Sequence, residues 1–182
     1  MDQPLYDLTV TDAIRYIRQK VISPVELTRA VLERIDEVEK DVRAWVTLLP
    51  EQALEEAQKA EEAMMRGERL GPLHGIPFGA KDIYYTKGIK TSAGSKVEPD
   101  FVPDSDATVI TKLKQAGAIL LGKTTTTEYA FLGNPPQTRN PWNLSHTPGG
   151  SSSGSAAALA ASMALFTLGT QTAGSLCRPA AF

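Results

Sequence analysis

The sequence predicts an α/β fold in which helices alternate with short apolar strands around a largely buried, mixed sheet. Two observations lead there. Segments with helical apolar spacing alternate with apolar runs too short for core helices. Those runs also lack polar alternation, as strands covered on both faces do. The 182 residues suit a single domain, and a chain of this size buries roughly two-thirds of its unfolded surface.

The elements follow in order. A first helix begins near Thr11 and gathers Ala13, Ile14 and Ile17 on one face. Ser23, Pro24 and Glu26 form a capping box with proline at the first helical position, opening a helix that carries Leu27, Val31, Ile35 and Val38. Ala44 to Leu49 reads as a short strand, and Pro50 to Arg66 as an exposed helix stopped by Gly67. Ile76 to Ala80 is an apolar strand running out at Lys81-Asp82, followed by a Gly/Ser/Lys-rich stretch from Thr86 to Pro103. Asp106 is expected to cap a helix bearing Val109, Ile110 and Leu113 and closed by Gly117. Ala118 to Leu121 is a buried strand. Asn134 to Ser155, rich in Pro, Gly, Ser, Thr and Asn, reads as a long loop; long ordered loops in compact domains are usually functional. A helix over Ala156 to Ala161 and a strand over Ala164 to Leu168 complete the pattern.

Composition excludes several classes. Hydrophobic residues make up 42% and charged residues 22%, ordinary for a globular chain. The formal net charge of −2 provides no global field for nucleic acid or an anionic membrane. The lone Cys177 precludes an internal disulfide and suits a reducing compartment. The start MDQPLYDLTV has no basic segment leading into an apolar core, and no apolar run approaches the ~20 residues of a membrane span. A cytoplasmic location is the expectation. The stop at Phe182, inside an apolar segment, reads as truncation of a larger domain.

Gly117 to Thr124 matches the phosphate-loop pattern GxxxxGK[ST], but the four residues between the glycines are all apolar and follow a helix. A phosphate loop follows a strand and turns its amides outward. A buried strand is the better reading, with no nucleotide bound and Lys123→Ala expected to leave activity unaffected beyond a modest loss of stability.

Two segments carry the chemistry. Pro148-Gly149-Gly150-Ser151-Ser152-Ser153-Gly154-Ser155 crowds four serines among glycines, and Gly169-Thr170-Gln171-Thr172-Ala173-Gly174-Ser175 places a serine after small residues at the end of a strand. Small residues let backbone N–H groups converge on one oxygen, as an oxyanion hole requires. A flexible linker has a similar composition, but it would not lead at once into a helix and a buried strand. A serine nucleophile needs a base. The candidates are His74, His146 and Lys81, and a GxSxG elbow is present only out of register. Residue types alone leave histidine and lysine both open.

Residues 71–182 resemble the amidase signature family. The resemblance is carried by GPLHGIPFGAKD (Gly71 to Asp82), GAILLGKT (Gly117 to Thr124), TRNPWNLSHTPGGSSSGSAAA (Thr138 to Ala158) and LGTQTAGSLCRPAAF (Leu168 to Phe182), in the family's order. The resemblance implies an amidase-signature-like mixed sheet surrounded by helices, incomplete in a truncated chain. Residues 1–70 would form a helical N-terminal region of the single domain, and 71–182 its motif-bearing core. It further implies a Ser–Ser–Lys triad of Lys81, Ser151 (preceded by a cis peptide) and Ser175, the nucleophile. Backbone amides of Thr172, Ala173 and Gly174, with Ser175 itself, would form the oxyanion hole. Many members carry aspartate at Gln171 and glycine at Ala173. The implied activity is hydrolysis of the C–N bond of a small-molecule linear carboxamide through a serine acyl-enzyme, with no cofactor or metal, no direct nucleic-acid or membrane partner, and room for a homodimer. The alternatives are a glutaminase-type component of a tRNA-dependent amidotransferase and a catalytically incomplete fragment. The block Lys123 to Tyr129 looks more like general amidases than like that component.

Overall fold

The computed structural model describes residues 3–131 and 135–182. Among these, the helices are α1 (Val10–Arg18), α2 (Pro24–Val42), α3 (Pro50–Met65), α4 (Thr108–Gln115), α5 (Ser153–Ala160) and α6 (Cys177–Ala181); the strands are β1 (Trp45–Leu48), β2 (Pro77–Lys81), β3 (Ile119–Thr124) and β4 (Phe166–Leu168). The strands form one mixed sheet in the order β1-β3-β2-β4. β2 runs parallel to β3 and β4, and β1 is antiparallel to β3. β2 and β3 are buried along their whole length, which explains why their sequences read as continuous apolar runs.

Local signals set the helix starts. The Thr9 side chain accepts from the Asp12 amide ahead of α1. At α2 both capping-box bonds form: Glu26 N–H to Ser23 Oγ at 3.1 Å and Ser23 N–H to Glu26 Oε2 at 2.8 Å. The chain leaves α2 through Arg43 in the left-handed region. The Glu39 carboxylate accepts from the Ala44 and Trp45 amides there, at 3.0 and 2.9 Å. Burial raises the Glu39 pKa, and these two backbone bonds oppose the rise.

The sheet separates two apolar cores. On one side, Ile17, Leu27, Val31, Ile35 and Met163 pack against Ile76, Ile119 and Leu121. On the other, Ile110 of α4 closes over Phe78, Ala80 and Leu120. Phe78 pairs with Phe166 across β2 and β4, and their rings stack at 5.2 Å. The β2–β3 ladder contains one irregularity: Phe78 pairs with Leu120 but Gly79 pairs with Gly122, which leaves Leu121 as an extra residue on β3.

Three expectations are corrected. Asp106 does not cap α4: the N-cap position is Ala107, without a side-chain bond. The Asp106 carboxylate instead accepts from the Lys87 amide at 2.7 Å and from Lys114 Nζ at 2.8 Å. The loop expected through Ser155 is shorter, because α5 already begins at Ser153; the small side chains there let the helix start against the sheet. Asn134, the loop's expected first residue, lies outside the described residues. The third correction concerns Lys123. The 117–124 segment enters strand β3 as expected, but Lys123 is completely buried. Its Nζ lies 3.1 Å from Asp82 Oδ1 and donates to Tyr84 O, Thr86 Oγ1 and Thr91 Oγ1 at 2.9, 3.0 and 2.6 Å. Burial lowers its pKa and Asp82 opposes that shift.

Truncating one partner of a buried ion pair strands the other charge. Lys123→Ala is therefore expected to lose about 3–5 kcal/mol of stability, well beyond a modest effect. Urea unfolding of the variant beside the parent chain measures this; a loss below about 1 kcal/mol, typical of exposed pairs, would contradict the assignment.

Candidate active site

β2 carries Lys81 to its last position, where the side chain is fully buried. Its Nζ donates to Ser151 Oγ at 2.7 Å, Ser152 Oγ at 3.0 Å and Thr170 Oγ1 at 2.6 Å. Every bond goes to a hydroxyl, and among the described residues no carboxylate pairs with this amine within 4.0 Å. Burial without a counter-charge lowers the Lys81 pKa to about 8, because desolvation penalises the charged form.

The serine segment reaches the amine from the N-terminal end of α5. The Gly150–Ser151 peptide is cis, and Ser151 to Ser153 are buried. Ser153 Oγ donates to Gly149 O at 2.6 Å, and Ser155 Oγ to Leu168 O at 2.8 Å, stitching α5 to both its own approach and β4. Gly154 permits the close fit: a Cβ there would collide with the Ala44 carbonyl and the Thr125 amide. Ser152 Oγ also accepts from the Thr170 amide and donates to its carbonyl, both at 3.2 Å.

Ser175 comes from the turn between β4 and α6. Gln171 Oε1 accepts from the Leu176 and Cys177 amides at 3.2 and 2.8 Å. It thereby caps α6 and closes the turn that carries Thr172, Ala173, Gly174 and Ser175. Gly174 has φ +150, open to glycine but strained for other residues. The Ser152 amide donates to Ser175 O at 2.9 Å. Ser151, Thr172, Ala173 and Ser175 line one cavity of about 600 Å³, together with Arg178, whose Nη2 donates to Gly150 O at 2.6 Å. The structure thus joins Lys81 and Ser151 by a direct hydrogen bond and places Ser175 on the same cavity wall as Ser151. The Thr172, Ala173 and Gly174 amides make no backbone–backbone hydrogen bond among the described residues.

Neither histidine is drawn in. His74 Nε2 lies 2.8 Å from Ala60 O on α3, and the exposed His146 ring meets its neighbour Ser145 Oγ at 3.0 Å. Sequence reasoning missed Ser152 and Thr170 as partners of Lys81. Their one signal was position, since each directly adjoins a residue already singled out in a turn. Among the described residues no group of His, Cys, Asp and Glu is arranged to hold a metal, and no helix is long and apolar enough to cross a membrane.

Fold and site place the chain among α/β proteins that gather a buried lysine and several serine hydroxyls at the ends of their strands. The Amidase family profile matches residues 26–182, and the chain belongs to the amidase signature family. It is 47% identical over 181 residues to the A subunit of glutamyl-tRNA(Gln) amidotransferase from Geobacter sp. (strain M21), covering 97% of this chain and 37% of that protein. The corresponding protein of Desulfatibacillum aliphaticivorans is 48% identical over 180 residues, covering 96% and 37%. Among solved structures, the peptide amidase of Stenotrophomonas maltophilia superposes with a TM-score of 0.91 at 40% identity, covering 98% of this chain and 39% of that one. The chain thus spans well under half the length of the relatives it matches.

The lowered Lys81 pKa sets a sign for pH dependence. An unfolded lysine keeps its proton up to about 10.4, whereas the folded amine releases it near 8. Between those values the unfolded state binds more protons, so this group's contribution to stability rises with pH across that window and is lowest below pH about 8. Lys81→Met should flatten that rise in the difference between the two unfolding free energies. An unchanged pH slope in the variant would show that Lys81 keeps an ordinary pKa.

Proposed function

We propose that this chain provides the catalytic groups of an amidase that hydrolyses a linear carboxamide C–N bond through a serine acyl-enzyme. The observation that carries the reading is the buried, carboxylate-free Lys81 amine bonded to Ser151 Oγ at 2.7 Å beside the cavity that Ser175 lines. Neutral Lys81 accepts a proton from Ser151 as Ser151 takes one from Ser175. Ser175 Oγ then attacks the amide carbon. The amides of Thr172, Ala173, Gly174 and Ser175 receive the negative oxygen that develops, an interaction worth most in the transition state. Ser151 passes its proton to the nitrogen as the C–N bond breaks and regains one from Lys81, which is neutral again when water later releases the acyl group from Ser175 as the free acid. The chemistry uses only these groups and water, so no cofactor or metal enters the scheme. In this reading residues 1–70 form the helix-rich flank of one amidase domain and 71–182 its catalytic core. The free Cys177 fits action in a reducing cytoplasm.

A second reading is favoured by the 47% identity to the amidotransferase protein of Geobacter, which exceeds the 40% to the peptide amidase. In that reading the carboxamide is glutamine and the chain acts within a larger assembly. Release of ammonia from L-glutamine, compared with release from an aliphatic or aryl amide, separates the two. The amidase reading expects the simple amide to be turned over without added partner proteins. Turnover of glutamine alone, stimulated by such partners, would select the second.

The triad is tested by labelling and substitution. A fluorophosphonate should modify Ser175, mapped by mass spectrometry. Lys81→Ala should lower kcat/KM about 10²–10⁴-fold, and Lys81→Arg should fail too, since guanidinium stays protonated. Ser151→Ala should be similarly impaired, while His74→Ala and His146→Ala keep substantial activity. A folded Lys81→Ala protein with normal turnover, or an adduct on Ser151, would overturn the scheme.

A further inference from the structure

Resting on that reading, we propose that Lys123 is a positioning residue for the base: by pairing with Asp82 on the opposite face of the sheet, it prevents that carboxylate from holding a proton on Lys81. The two lysines lie on opposite faces. Lys81 pairs in register with Thr124, and Thr124 Oγ1 meets Ser155 Oγ at 2.9 Å, so that face looks onto α5. Lys123 pairs with Ala80, whose side chain belongs to the core closed by α4, and its amine reaches the turn over residues 84–91. Asp82 follows Lys81 directly and is also completely buried. Its Oδ2 accepts from Ser92 N–H and Oγ at 3.1 and 2.7 Å, and its Oδ1 faces Lys123. The acid next to the base in sequence is thus turned away from it and matched by another amine.

Among the described residues no other acid adjoins Lys81 in the chain or bonds one of its hydroxyl partners: the half-buried Glu39 of α2 is held by the Ala44 and Trp45 amides at 3.0 and 2.9 Å. β3 presents Thr124 to Lys81, the α5 approach presents Ser151 and Ser152, and the turn after β4 presents Thr170. Tyr84 directs its hydroxyl to Gly169 O at 2.9 Å, and Arg178 of α6 engages Gly150 O. α2 buries uncharged Pro24, Leu27, Thr28 and Val31 towards the core. On the far face, Asp106 is already paired with Lys114 at 2.8 Å. Asp82 is thus the acid that adjoins Lys81 directly and whose charge Lys123 balances. Side chains one residue apart on opposite faces hold their charges on the order of 10 Å apart, where one uncompensated charge moves a buried group by on the order of one pKa unit.

The measurement is the second-order rate of Ser175 labelling by a fluorophosphonate, followed from about pH 6 to about pH 10 across the ordinary titration range of a lowered lysine. Lys123→Met should move the midpoint up by about one unit, a roughly tenfold loss near neutral pH with the alkaline plateau retained. Asp82→Asn, which leaves Lys123 uncompensated, should move it down. The double variant Asp82→Asn/Lys123→Met should restore the parental midpoint. A merely structural role would reduce the folded fraction, read by circular dichroism, and leave all midpoints in place. If Lys123→Met does not fold, the downward shift in Asp82→Asn and the restored midpoint in the double variant still decide. Unchanged midpoints in the folded variants overturn the proposal. Lys81→Ala separates this from the underlying scheme: labelling that keeps its pH dependence without Lys81 refutes the base assignment itself, whereas labelling that loses it while the charge variants stay unshifted refutes only the role of Lys123.

Discussion

A lysine amine buried among hydroxyls, with no carboxylate to hold its proton, sets conditions on every element around it. Water must be excluded, or the amine would keep its ordinary pKa. Hydroxyl partners must arrive from separate parts of the chain, because a buried amine without hydrogen bonds would be costly. Ser151 and Ser152 come from the approach to α5 and Thr170 from the exit of β4, so the strand order β3-β2-β4 is what brings these hydroxyls around one nitrogen.

Small side chains make that convergence feasible. α5 is built largely from serine, glycine and alanine, and it lies close enough for Ser155 to bond the β4 backbone and for Thr167 Oγ1 to donate to Ser155 O at 2.8 Å. Bulkier residues would lift the helix and separate Ser151 from Lys81. Gln171 does comparable work on the other side, since its amide oxygen holds the first turn of α6 and thereby shapes the loop bearing Ser175.

Much of this was legible in the sequence. The capping box at Ser23, the apolar runs of β2 and β3 and the stop at Gly117 are local signals, and the structure realises each of them. The candidate site was legible only through the family resemblance, because a serine in a turn looks like any turn former and histidine was as plausible a base as lysine. What stayed hidden depends on three-dimensional neighbours. Asp106 has the residue type of a helix cap, but Lys114 and the Lys87 amide claim its carboxylate. Lys123 lies in an apolar run whose pattern gives no hint that Asp82, far away in the chain, waits inside the fold. Ser152 and Thr170 likewise became visible as partners of Lys81 only once β2, α5 and β4 were assembled.

The extra residue in β3 has a consequence for the chain's two buried amines. Successive side chains on a strand point to opposite faces, so one inserted residue reverses the facing of everything beyond it. Were the ladder continuous from the Phe78–Leu120 pair, Lys123 rather than Thr124 would stand opposite Lys81. Two amines side by side in the interior would repel by several kcal/mol at about 5 Å, and Asp82 would face the other way, without its partner. Leu121 therefore acts as a parity switch, a single aliphatic residue that sorts one amine to the hydroxyl-lined face and the other to a counter-ion.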